Sequence, residues 1–150
     1  MDNEALHNLL SDLRNGQISI EDAMTALSRS GIDPLDFANV DLDRARRRGL
    51  PEVVFGPGKT AAQISGIAKS LGEAQQRLLV TRIDESVAAE VMSDLPTHGL
   101  VYDEMARCLH SSPFPAPVFG RGKILVVTAG TSDIPVAMEA VLTIRHAGHE

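Results

Sequence analysis

Aromatic residues are scarce in this 150-residue chain: four Phe, one Tyr and no Trp make up 3% of it. Its core must therefore be aliphatic, and the ring platforms that stack single-stranded nucleic acid are missing. Cysteine is scarcer still. Cys108 stands alone, which rules out a disulfide framework and any zinc site built from several thiolates. No apolar run approaches the roughly eighteen residues of a membrane-spanning helix, and the N-terminus lacks a basic, apolar signal pattern. The expectation is a soluble, cytoplasmic protein that meets neither membrane nor nucleic acid. What is present is globular composition, with 43% hydrophobic and 23% charged residues. That suits one ordinary domain, or one small domain with part of another.

Positive charge is also short overall, at a net −6, but it is unevenly placed. Residues 1–36 hold seven acids against Arg14 and Arg29, a balance of −5. Arg44, Arg46, Arg47, Arg48 and Lys59 follow directly. A basic cluster in an acidic chain serves a small anion better than a nucleic-acid backbone, which the overall field repels. The competing reading is a solvated helix face.

Leu6, Leu9, Leu10 and Leu13 recur at helical spacing, so residues 2–14 read as a helix stopped by Asn15-Gly16. Ser19 before Glu21-Asp22 caps a second helix running to about Ser30, where Gly31 and the turn Asp33-Pro34 end it. Two short helices bury little alone, so this hairpin is expected to pack on something else. From residue 37 the texture changes. Asp41 to Arg48 is a short helix or turn closed by Gly49 and Pro51; Glu52 to Phe55 is a strand. Lys59 to Leu71 is a helix with Ile64, Ile67, Ala68 and Leu71 on one face. Leu78 to Thr81 is a strand, Glu85 to Met92 a helix, and short strands are expected between Gly99 and His110. Alternating strands and helices make a small α/β layer. Ser112 to Pro117 reads as a linker, with three prolines in five residues. Lys123 to Thr128 then reads as a buried parallel strand, and Ile134-Pro135 opens a helix to about His146, capped by Ser132 or Asp133 and ended by Gly148.

Two turns invite a ligand. Gly58-Lys59-Thr60 resembles the end of a phosphate loop, but the glycine required five positions earlier is Val53. Thr128-Ala129-Gly130-Thr131-Ser132-Asp133 is better placed, since α/β sheets gather ligands where a strand ends and a helix begins. A tight turn with a capped helix is the alternative. His146 and His149 lack a third metal ligand, and Cys108, next to Leu109 and near His110, reads as a small structural thiol because nearness in sequence alone gives no thiol–imidazole geometry.

These segments carry a resemblance. Asp41 and Arg44, Gly49-Leu50-Pro51-Glu52-Val53-Val54, Gly58-Lys59-Thr60 and Thr81-Arg82 resemble the N-terminal part of LarB proteins. Ile124 through Ala137 is similar to the opening of their second domain, which is of the PurE type of aminoimidazole ribonucleotide carboxylase. Behind the helical hairpin read at 1–36, the resemblance implies an α/β fold with a small α/β domain at 37–117. At 118–150 it implies the first strand-helix unit of a PurE-like, flavodoxin-like, three-layer parallel-sheet domain. The chain is then an N-terminal portion, inactive alone.

The implied activity belongs to nickel-pincer nucleotide biosynthesis. Nicotinic acid adenine dinucleotide, carbon dioxide and water give the pyridinium biscarboxylate mononucleotide and AMP, through a cysteine that adds to the ring and makes it nucleophilic. That cysteine lies deeper in the PurE-like domain of the family, and Cys108 does not match it. By motif match Ser132 and Asp133 are the catalytic candidates. Asp41, Arg44, Lys59, Arg82, Thr128, Ala129, Gly130 and Thr131 are the substrate-binding ones. Glu52 and Arg82 have a structural alternative, pairing with each other, and Arg46 to Arg48 a solvated face. No metal ligand is identified; the cofactor expectation stands between none and Mg2+, and a homo-oligomer is expected through the PurE-like domain. Two alternatives remain: a purine-pathway carboxylase, against which the long N-terminal region argues, and a regulatory module whose acidic hairpin binds partners.

Overall fold

The computed structural model describes residues 3–29, 31–114 and 123–149. Helix α1 (Asn3–Arg14) and helix α2 (Ile20–Arg29) form the leading hairpin. Asp2 and Ser30, the outer limits expected for it, lie outside the described residues. The cap at Ser19 is reciprocal: its Oγ accepts the Asp22 N–H at 3.0 Å, and Asp22 Oδ2 accepts the Ser19 N–H at 3.3 Å. Next comes a difference from expectation. Asp33-Pro34 is not a turn but the middle of strand β1 (Ile32–Leu35), antiparallel to β2 (Ala38–Asp41), with Asp36-Phe37 turning between them. Proline lacks an N–H, yet a strand with one open side tolerates it.

Helix α3 (Arg44–Arg48) ends on Gly49 in the left-handed conformation, φ +70°. The main sheet follows: β3 (Val54–Phe55), β4 (Leu79–Thr81), β5 (Leu100–Asp103) and β6 (Cys108–Ser111), in the order β3-β4-β6-β5. Strands β3 and β4 are parallel, joined through helix α4 (Ala61–Glu73); the other pairs are antiparallel. Thr60 and Gln63 cap α4 reciprocally, so Gly58-Lys59-Thr60 is a helix start. Helix α5 (Glu85–Asp94) follows β4. Helices mixed with a two-stranded and a four-stranded sheet make this an α/β protein.

Strand alternation divides the core. Val80 and Leu109, paired across β4 and β6, face α4 and α5, where Ile64, Ile67, Ala68, Leu71 and Val91 complete an aliphatic cluster. Leu79 and Cys108 point to the opposite face, onto Leu142 and Met138 of helix α6 (Ile134–His146). The linker expected at 112–117 falls partly on residues 115–122, outside the described ones, as does the domain boundary placed at 117.

Residues 123–129 contradict the strongest strand expectation. They belong to no strand; Leu125 is 85% and Val127 79% exposed. A strand exists only through ladder partners for its N–H and C=O groups, and among the described residues none lies alongside. A 3₁₀ turn (Thr131–Asp133) leads into α6, and Asp133 at the helix N-cap makes no side-chain capping bond, contrary to the expected cap. Gly148 follows the helix end with φ +82°, as expected of a terminating glycine. No helix among the described residues is long and apolar enough to cross a membrane.

Candidate functional site

Strand β3 is an outer strand of the four-stranded sheet. A cleft of about 300 Å³ lies between β2 and β3 over α4, lined among others by Asn39, Val40, Glu52, Phe55, Lys59 and Ile67. Lys59 Nζ donates to the carbonyl of Phe55 at 2.7 Å. Close to Glu52 stand Arg44 and Asp41. Arg44 donates to the Glu52 carboxylate at 3.5 Å, and Asp41 Oδ1 accepts the Asp43 N–H at 3.3 Å. Burial pushes the Glu52 carboxyl above its usual range; Asp41 adds to the shift and Arg44 opposes it. Of the four N-terminal candidates Lys59 lines the cleft; Asp41 and Arg44 do not, and are linked to it only through Glu52, by charge and by an ion pair. Of the solvated arginine face, Arg48 is exposed, while the side chains of Arg46 and Arg47 lie outside those described.

Arg82 does something else. Its Nε meets Glu139 of α6 at 3.1 Å, and its guanidinium lies 5.6 Å from the centre of the Phe55 ring. The pairing of Glu52 with Arg82 expected from sequence is not what forms: Glu52 pairs with Arg44 and Arg82 with Glu139. Arg82 has φ +55°, a conformation that L residues avoid, and it tethers α6 to the sheet.

The second candidate group forms its own pocket of about 480 Å³, lined by Thr128, Ala129, Asp133, Val136, Ala137 and other residues. A Cβ on Gly130 would lie 3.2 Å from Asp133 Oδ2 and 3.5 Å from Ser132 Oγ, so both side chains fold back over this glycine. Thr131, Ser132 and Asp133 are exposed. Free of capping, the Asp133 carboxylate is available to a ligand. The cleft and this pocket share no lining residue.

Cys108 is fully buried, with Sγ 3.2 Å from the Ala106 carbonyl, and desolvation raises its thiol to about 11. A thiol so placed is not a nucleophile. His146, also buried, is pushed down to about 4 chiefly by desolvation, and its Nε2 has no partner. His110 stacks on Phe114 with centroids 4.3 Å apart. Among the described residues no group of three or more His, Cys, Asp or Glu could hold a metal ion.

Reading the sequence missed Asn39, Val40 and Ile67 as cleft residues and Glu139 as the partner of Arg82. Asn39 carries no local signal, and Ile67 is one of many helix-face residues until a strand is laid across it.

Comparison with known proteins bears directly on this layout. The family model for the LarB/PurE-like N-terminal domain matches residues 32–113, which include the whole cleft and Arg82. An uncharacterized protein of Methanocaldococcus jannaschii, MJ0165, is 32% identical over 149 residues, 97% of this chain. The chain spans 58% of that relative's length. With the match covering more than half of its residues, this chain belongs to the LarB/PurE-like N-terminal domain family.

Proposed function

We propose that this chain is the N-terminal portion of a LarB-like carboxylase and phosphoanhydride hydrolase acting on nicotinic acid adenine dinucleotide. The observation that carries the reading is the family match over residues 32–113, which includes a cleft lined by Lys59 and by Glu52, the ion-pair partner of Arg44. In the proposed reaction carbon dioxide forms a carbon–carbon bond to the pyridinium ring, the ring proton leaves, and water cleaves the phosphoanhydride to release AMP. Lys59 and Arg44 hold substrate anions through charge-assisted contacts. Asp133, at the second pocket, orients the ring or accepts its departing proton, and Ser132 hydrogen-bonds beside it. Thr128 to Thr131 let an anionic group approach the backbone.

The covalent step needs an accessible thiolate, and Cys108 cannot supply one. In this reading the nucleophile belongs to the PurE-like part of a longer protein, which also carries the homo-oligomer contacts. The test incubates the longer protein with nicotinic acid adenine dinucleotide and bicarbonate and weighs the products by mass spectrometry. A biscarboxylated mononucleotide together with AMP is expected; recovery of unchanged dinucleotide would refute the reading. The 150-residue chain alone is expected to carboxylate nothing, and turnover by it would return the chemistry to residues described above.

A further inference from the structure

Helix α6 has two faces that meet different parts of the molecule. Met138, Leu142 and His146 recur every four residues and form one stripe, with Glu139 beside it. That stripe is seated on the sheet. Met138 and Leu142 pack with Leu79, Cys108 and Val53, and the His146 ring donates to the backbone of Glu52. Glu139 takes the Arg82 guanidinium, which also lies over the Phe55 ring. Val136, Ala137 and Ala140 fall on the opposite side of the helix and line the second pocket with Asp133. One rigid helix thus joins the sheet on one face to the Asp133 pocket on the other.

We propose that Arg82 is a positioning residue: through Glu139 it fixes the seat of α6 on the sheet and so sets where Asp133 meets a ligand. Arg82 lines neither the cleft nor the pocket. The apolar seat beneath α6 is small, its buried members being Leu79, Ala106, Cys108 and Leu142. Apolar packing is non-directional and leaves a helix free to tilt, whereas a charge-assisted hydrogen bond fixes a register. The Arg82 backbone, at φ +55°, is committed to a conformation that L residues avoid, and its side chain leaves the end of β4 toward α6. Glu139 stands six residues after Asp133, about 9 Å along a helix. A tilt at that distance is felt at Asp133, and displacements of about 1 Å already cost rate. The inference rests on the proposed function in taking Asp133 as a working residue; the seating of α6 does not.

Two measurements test it. Hydrogen–deuterium exchange of the 150-residue chain should quicken across residues 131–146 in Arg82→Ala and in Glu139→Ala. The expected gain is about two- to fivefold, the size of an exposed ion pair, while α4 keeps wild-type protection and shows the chain folded. In the longer protein, kcat for the dinucleotide should fall about fivefold in either variant with KM within about twofold. The double variant should lose no more than one single variant, because both act through one contact. Unchanged exchange across 131–146 would overturn the proposal. So would a raised KM in Arg82→Ala beside a normal Glu139→Ala, which would make Arg82 a ligand contact. A wild-type longer protein that leaves the dinucleotide unchanged would refute the proposed function, and exchange at 131–133 would still decide whether Arg82 places Asp133.

Discussion

Two aliphatic runs in this chain are nearly interchangeable as sequence and opposite as structure. Leu78-Leu79-Val80-Thr81 is buried throughout, with Leu79 and Val80 wholly inaccessible between two layers of side chains. Ile124-Leu125-Val126-Val127-Thr128 is the longer apolar run, yet it lies outside any sheet and exposes most of its large side chains. Composition gives a segment the capacity to be a strand. Partners decide whether it becomes one, because the ladder that satisfies its backbone belongs to two segments at once. The first run finds β3 and β6 on its two sides; the second has no such neighbours among the described residues.

The sharpest way to break this comparison is truncation on each side of it. Leu79→Ala should cost ~2–5 kcal/mol in denaturant unfolding, since it opens a hole against Cys108 and Leu142. Leu125→Ala should fall within about 0.5 kcal/mol of wild type. Equal losses would show that the second run is buried in solution.

The next effect concerns the layer that α6 adds to the sheet. His146 is held neutral, its pKa lowered from 6.5 to about 4. The unfolded chain binds the proton more readily, so this contribution is complete above pH 6.5 and is lost as pH falls through 4. It amounts to about 3 kcal/mol, from about 1.4 kcal/mol per pKa unit. His146→Leu should flatten the stability profile over that window; an unchanged profile would mean that α6 does not seal this histidine against the sheet.

Ligand contacts come third. In the longer protein, Lys59→Ala and Arg44→Ala should each weaken dinucleotide binding by about tenfold to a hundredfold, as charge-assisted contacts do. Arg82→Ala should act mainly on stability, because its guanidinium is engaged by Glu139 and Phe55. A binding loss from Arg82→Ala as large as that from Lys59→Ala would place Arg82 in the site after all.

The smallest expected stability change is at the turn before α6. A capping aspartate changed to alanine costs about 0.5–2 kcal/mol, but Asp133 makes no such bond. Asp133→Ala should therefore leave the thermal midpoint nearly unchanged while lowering turnover of the longer protein. A clear drop in the midpoint with full turnover would assign the residue to helix capping.

Much of the layer at 52–111 was legible because its signals are local. The 3.6-residue spacing of Ile64, Ile67, Ala68 and Leu71 specified both α4 and its buried face. Gly49 and Asn15-Gly16 marked helix ends through backbone conformations that other residues resist. The β1–β2 hairpin was misread because Pro34 resembles a turn residue, and the true turn, Asp36-Phe37, lacks the glycine or asparagine that usually marks a two-residue hairpin. The candidate site was legible only as residue types. Asp41, Arg44 and Lys59 stood out as charge near a glycine-rich turn, but nothing local tells which acid meets which base.

The sequence by itself determined the helices, their ends, the buried face of α4 and the aliphatic character of the core, because periodicity and capping act within a few residues. Only the tertiary structure decided that Glu52 pairs with Arg44 and Arg82 with Glu139, 57 residues away. It also opened a slot between β2 and β3 and left 123–129 outside the sheet. Ion pairs, clefts and ladders join segments distant along the chain, so they are properties of packing that no single window of sequence contains.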